Sequence, residues 1–298
     1  MSDKKHPGKK IGLAQLSPRT LLRQDPLFSV GMLEKKLLKR FPASDGAEGD
    51  RIGLLVGDPA STVAHVAVAL DPTPAAIGEA QALGANVLVT HHPAYRLAPD
   101  TFHRAESVAL SPGAGVYAAI REGVALMCFH TALDVSHEAA RILPGMLGLD
   151  LKGIVDPLEG DVRKGYGQLC AIRSADRPLT LGQLAARCTA VFGRLPRVWG
   201  DFNKPLAKVA TCTGSAGSLS AACVSRSLDC LVCGEIRYHD ALAVKDAGLG
   251  IIELGHDTSE LPLVAVLAAA VESVGFPEDR VVIIDQKDNW TYPEAVRI

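Results

Sequence analysis

Four apolar, strand-like runs in this 298-residue chain break directly into side chains that bind metal ions. Residues 85–90 run into His91 and His92, and residues 124–129 into His130 and Asp134. Residues 230–233 run into Glu235 and His239, and residues 250–254 into His256 and Glu260. Open α/β sheets bind their ligands just beyond the carboxyl ends of the strands. Imidazoles and carboxylates gathered there suit zinc, manganese or iron. Two such ions held close together share a hydroxide that is nucleophilic near neutral pH and polarise an electrophile. The chemistry expected of the four clusters is therefore metal-dependent hydrolysis.

Each cluster also has a plainer reading. His91 and His92 leave a strand together, where neighbouring side chains can converge and serve one ligand to each of two metals, or form a surface pair. Asp134 is a ligand candidate, but it could instead cap a helix expected over residues 136–147. His137, inside that helix, reads as surface. His256 and Glu260 stand at i and i+4 and share a helical face, and Glu260 would also gain from the dipole of an early helical turn. Glu235 and His239 have the same spacing and fit ligands, acid–base groups or an ordinary helix pair. Residues 213–218 (Thr-Gly-Ser-Ala-Gly-Ser) form a tight turn or an anion cradle, without the Lys-Ser/Thr of a P-loop. Cys230 and Cys233 resemble a C-x-x-C site, but on a strand their sulfurs face opposite ways, so that reading is rejected.

The elements that must position these groups alternate. Strands are expected over 51–56, 63–70, 85–90 and 124–129, with helices over 74–83, 115–122 and 136–147. Residues 98–112 have no period and read as a loop on the ligand side. A composition shift with Gly153, Gly160, Gly165 and Gly167 suggests a domain boundary. Beyond it come strands over 167–173, 206–212 and 229–233, helices over 180–192 and 218–228, and a final strand and helix within 250–274. This rhythm predicts mainly parallel, layered α/β sheets. The expected partition is a metal-binding domain of residues 1–150 plus 245–298 and a second, similar α/β domain of residues 151–244.

Composition narrows the function classes. Lys plus Arg (31) nearly balance Asp plus Glu (33), so no basic field draws in nucleic acid. The apolar run at 261–271 is far short of the roughly 20 residues that cross a bilayer. Residues 1–10, with Lys4, Lys5, Lys9 and Lys10, lack the apolar core of a secretory signal and read as a solvated tail. Seven scattered cysteines fit buried thiols in a reducing compartment, so the expected location is cytoplasmic.

With these clusters in order, the chain resembles the dinuclear-metal-centre family called GTP cyclohydrolase 1 type 2-like, or Nif-three-like, proteins. The resemblance rests on Gly53-Leu-Leu-Val-Gly57, Val89-Thr-His-His-Pro93, His130-Thr-Ala-Leu-Asp134, Thr213-Gly-Ser-Ala-Gly217, Cys233-Gly-Glu235 with His239, and Gly255-His-Asp-Thr-Ser-Glu260. It implies two interlaced three-layer α/β domains with mainly parallel or mixed sheets, assembled as a hexameric ring. It also implies two divalent ions per chain. One would be held by His91 and Asp134, the other by His92 and His256, with Glu260 bridging both. His130, Glu235 and His239 would line the same cavity as acid–base groups. Where the family carries Gly-x-Gly-Arg, this chain has Gly165-Tyr-Gly-Gln168, which weakens the case for a phosphate-bearing substrate. The expected activity is hydrolysis of a small polar, nucleotide-like molecule through a metal-bridging hydroxide. The alternative is a non-catalytic metal-binding ring that serves as a scaffold or regulator for protein partners.

Overall fold

The computed structural model describes residues 28–104, 111–287 and 289–291. The lysine-rich tail and the middle of the 98–112 segment lie outside the described residues. The first part of the chain runs through α1 (Val30–Arg40), β1 (Gly53–Val56), β2 (Val66–Ala69), α2 (Pro74–Ala82), β3 (Val87–Thr90), α3 (Ala114–Glu122), β4 (Ala125–Cys128), α4 (His130–Asp134) and α5 (Ile142–Met146). A second group follows with β5 (Leu149–Leu158), β6 (Asp161–Ile172), β7 (Leu179–Thr180), α6 (Leu181–Phe192), β8 (Arg197–Trp199), β9 (Pro205–Leu206) and β10 (Lys208–Thr211). The chain closes with α7 (Leu219–Ser225), β11 (Cys230–Cys233), α8 (Tyr238–Asp246), β12 (Gly250–Glu253), α9 (His256–Ser273) and β13 (Val281–Ile283).

Two mixed sheets organise these elements. The first has the order β1-β4-β3-β2-β13, parallel except for β1. Its central strands are buried on both faces, so they read as unbroken apolar runs. Leu33 and Leu37 of α1 and Leu263, Leu267 and Val271 of α9 cover one face. Ile77 and Ala80 of α2 with Ala118 and Ala119 of α3 cover the other. The second sheet has the order β5-β6-β10-β11-β12-β8, with β10, β11 and β12 parallel. Leu143 and Leu147 pack on one of its faces beside Leu184 and Cys188 of α6. Cys223 of α7 and Val244 of α8 pack on the other.

Several expectations are corrected. The glycine-containing stretch after residue 148, where a domain boundary is expected, is the long antiparallel hairpin β5–β6 at the sheet edge. The return to the first core does not come at residue 245: α8 and β12 stay with the second sheet, and α9 makes the crossing. The helix expected over 136–147 is broken into a 3-10 turn at Ala139–Arg141 and α5. Pro144 cannot donate the backbone bond that a continuous helix would need there. Among the described residues, no helix is long and apolar enough to cross a membrane.

Candidate metal centre

The carboxyl ends of β3, β4 and β12 converge on one carboxylate, Glu260, in the second turn of α9. Gly255, at φ 103°, turns the chain sharply from β12 into that helix. Glu260 Oε1 lies 3.5 Å from His91 Nε2, which is also 3.7 Å from Asp134 Oδ1. Glu260 Oε2 lies 3.0 Å from His92 Nε2 and 3.1 Å from His256 Nε2. Two ligand groups result, His91–Asp134–Glu260 and His92–His256–Glu260, with Glu260 common to both. A third group combines His91, His92 and His130.

The site is deeply set on one side and open on the other. His91 is fully buried and Glu260 nearly so, whereas the His256 side chain is 46% exposed, which leaves an approach from solvent. Both ring nitrogens of His91 and Oε2 of Glu260 are buried without a hydrogen-bond partner. Although near two imidazoles, Oε2 is not aligned to accept from either. Unpaired buried polar atoms are costly. Two ligands on one tetrahedral zinc, each about 2.0–2.1 Å from it, stand about 3.3 Å apart, close to the spacings seen here. The donor set and its orphaned atoms fit divalent ions.

Carboxylates behind the histidines fix their orientation. Asp71 Oδ1 is 2.8 Å from His92 Nδ1, Glu235 Oε2 is 2.9 Å from His256 Nδ1, and both Asp50 oxygens are 2.9 Å from His130 Nδ1. Each pair turns the Nε2 edge away from the carboxylate, as in carboxylate–histidine–metal triads. Further bonds hold the carboxylates. Gln286 Oε1 accepts from the backbone N–H of Leu70 and Asp71, and Glu253 accepts from Ile236 N beside Glu235. Thr213 Oγ1 donates to Asp134, joining the second sheet to the site.

Charges follow from this arrangement. Burial alone would raise Glu260, but His256, His91 and His92 outweigh it and hold the carboxyl well below its usual range. Burial and the neighbouring Glu260 raise Asp134. Burial would depress His92, yet Asp71 and Glu260 lift it to about 9. Glu235 and Glu260 lift His256 to about 10 against burial. Burial opposes ionisation of Asp50 too, but the His130 and Thr131 hydrogen bonds bring it down to about 2.

The eight residues expected from sequence divide by position. His91, His92, Asp134, His256 and Glu260 form the two groups that could hold metal ions, and His130 adjoins them, its ring centroid 5.4 Å from that of His91. Glu235 is present, but its carboxylate is engaged with His256 and orients it. His239 does not line the cavity. It is exposed on α8 with its ring against Tyr238, because Glu235 lies ahead of that helix and the expected i, i+4 pair never forms. Asp50 and Asp71 escaped the sequence reading. Asp71 follows an apolar strand as the candidate ligands do, but as a lone carboxylate; Asp50 has no comparable signal. Cys230 and Cys233 pack into cores on opposite faces of β11.

A cleft of about 380 Å³ adjoins the centre, bounded by His130 and Asp134 of α4, Tyr166 and Gln168 of β6, and the turn after β10.

Comparisons with known proteins agree with this architecture. The chain is 30% identical over 244 residues to a GTP cyclohydrolase 1 type 2 homolog of Streptomyces coelicolor, covering 78% of this chain and 82% of that protein. A homolog of the same name from Clostridium perfringens is 27% identical, covering 75% of this chain and 83% of that protein. Among solved structures, a Staphylococcus aureus hypothetical protein superposes with a TM-score of 0.78 at 22% identity, covering 90% of this chain and 100% of that one. A Bacillus cereus protein related to NIF3 gives 0.76 at 19% identity, covering 90% and 99%. The profile of the Duf34/NIF3 (NGG1p interacting factor 3) family matches residues 29–289, and the chain belongs to that family.

Proposed function

We propose that the protein is a metal-dependent hydrolase of a small polar substrate, with a pair of divalent ions held by His91, His92, Asp134, His256 and Glu260. One observation carries this reading: the two oxygens of Glu260 face two separate ligand groups. Two ions bound there would acidify a shared water and polarise the substrate's electrophilic carbon. The donor set suits zinc, manganese or iron.

The protein's own groups supply the remainder. Asp50 holds His130 by Nδ1, which leaves Nε2 to exchange a proton with the substrate at the edge of the cleft. Asp71 and Glu235 keep His92 and His256 oriented, and their charge favours a cationic environment at the ring. In hydrolysis of an amide, water oxygen bonds to the carbonyl carbon and the carbon–nitrogen bond breaks. One proton passes to the leaving nitrogen, a transfer within the capacity of His130.

A homohexameric ring and a cytoplasmic location belong to the same proposal and rest on the family membership. Light scattering of the purified protein should give six times the chain mass, and a monomer would remove the ring. Elemental mass spectrometry of protein purified without chelators tests the centre itself. About two ions per chain, falling sharply in Glu260→Ala, are expected from a shared bridging ligand. Protein that holds no metal after reconstitution would defeat the hydrolase reading.

A further inference from the structure

Gln168 is a largely buried polar side chain whose oxygen is bonded within the protein and whose nitrogen is not. It lies on β6 opposite Thr211 of β10 and is 4% exposed. Its Oε1 accepts from Thr211 Oγ1 at 2.7 Å, which fixes the carboxamide. Among the described residues, no group accepts from its Nε2. That nitrogen carries two N–H donors and, unlike the orphaned atoms of His91 and Glu260, is not sealed from solvent. Gln168 lines the 380 Å³ cleft beside the candidate metal centre, so these donors are open to a molecule that enters the cleft.

Position and charge define what those donors would take. Thr211 holds Gln168, and Thr213, two residues on, holds Asp134 at 3.1 Å. Gln168 and Asp134 thus line one cleft and are held by neighbouring residues at the end of one strand. Asp134 and Asp156 put carboxylates on the cleft wall, and the one guanidinium along it among the described residues is Arg96 at the exposed rim. A carboxamide gives a carbonyl oxygen a neutral hydrogen bond, whereas a phosphate calls for charged donors.

We propose that Gln168 is the specificity residue of the cleft, taking the uncharged carbonyl oxygen of a cyclic amide or ureide whose other end lies at the metal centre. The assignment rests on the hydrolase reading for what happens at that other end, but the binding contact stands separately. A site that hydrogen-bonds its substrate discriminates strongly once the bond is removed.

The test is calorimetric binding of hydantoin, a neutral cyclic ureide, and of phenyl phosphate to zinc-reconstituted protein. Wild type is expected to bind hydantoin more tightly than phenyl phosphate. Gln168→Leu should weaken hydantoin roughly tenfold, the worth of one net hydrogen bond at its upper range. Gln168→Glu keeps the size and the Thr211 bond but replaces donors with acceptors, and should weaken hydantoin at least as much. Zinc content should match wild type in both variants. No hydantoin binding by wild type, a preference for phenyl phosphate, or equal hydantoin affinity in a folded variant would each overturn the proposal. Chromatography of the same mixtures separates the two readings. Gln168-dependent binding without ring opening would remove hydrolysis and keep the subsite; ring opening indifferent to Gln168 would do the reverse.

Discussion

The Nε2 atoms of His92 and His256 stand 3.3 Å apart, and both face the same oxygen of Glu260. Two imidazole nitrogens at that distance have room for a proton between them or for a cation bound to both. The carboxylates behind them, Asp71 and Glu235, favour positive charge in either form. A proton and a metal ion would therefore compete for one position.

That competition predicts opposite pH responses. His92 is raised to about 9 and His256 to about 10, from an ordinary value of 6.5. The folded state thus holds these protons more tightly than the unfolded chain. The resulting stabilisation is complete below about pH 6.5 and is lost as pH climbs through 9 and 10. Chelator-treated protein should show a falling Tm across that window. Metal affinity should rise across it, because loading must expel the protons. Zinc titrations at pH 7 in buffers of different ionisation enthalpy should report proton release, and its absence would contradict the arrangement.

Asp71 and His239 offer a paired contrast. Asp71→Asn keeps the size of the side chain but removes the charge that orients His92, and should weaken metal affinity about 10–100-fold. His239→Ala removes an exposed ring that meets Tyr238 and no ligand, so metal content and turnover should match wild type. Competition with a chromogenic chelator measures both. Equal affinity in Asp71→Asn would show that His92 needs no support.

The candidate ligands are legible because parallel strands buried on both faces are unbroken apolar runs, so the polar residue that ends each run stands out. His91, His130 and His256 were visible in this way. The Asp71 contact was not, since it depends on Gln286, more than 200 positions away, closing over the β2 end. The β5–β6 hairpin was hidden for another reason. An edge hairpin has one wet side, and glycines at 153, 160, 165 and 167 erase the alternation that marks a strand. The misplaced return at residue 245 reflects the crossing by α9: helix and strand are adjacent in sequence, yet β12 belongs to one sheet and α9 to the other core.

Asp50→Asn tests the proton-transfer role of His130. Asp50 lies across the ring from the cleft and touches no member of the two main ligand groups, so metal content should be kept. Turnover should fall roughly 10²-fold, within the usual worth of general acid–base catalysis. Asp50 is lowered to about 2 from 3.8, so its contribution to stability is present above about pH 3.8 and lost as pH falls through 2. Wild type and variant should therefore converge in Tm at strongly acid pH. An unchanged rate with intact metals would remove His130 from the chemistry.

Gly214 gives the sharpest test of how the second sheet shapes the centre. Its φ of +59° is left-handed, and a Cβ there would land on Glu260 Oε1, with His256 Cε1 at 3.5 Å. The backbone cannot retreat. Gly214 N donates to Ser259 Oγ at 2.8 Å, while its carbonyl accepts from Gly234 N at 2.8 Å and Glu235 N at 3.2 Å. In Gly214→Ala the Glu260 carboxylate must swing aside, so metal content should drop as it does in Glu260→Ala. Gly217→Ala is the control, since Gly217 has φ +47° but nothing within 4 Å of its would-be Cβ. Both variants carry the left-handed strain of about 1–2 kcal/mol, which for a chain of this length lowers Tm by several degrees. Only Gly214→Ala should also lose metal. Equal metal retention in the two would mean that Glu260 is not held against this turn, and that the first sheet and α9 define the centre without the second.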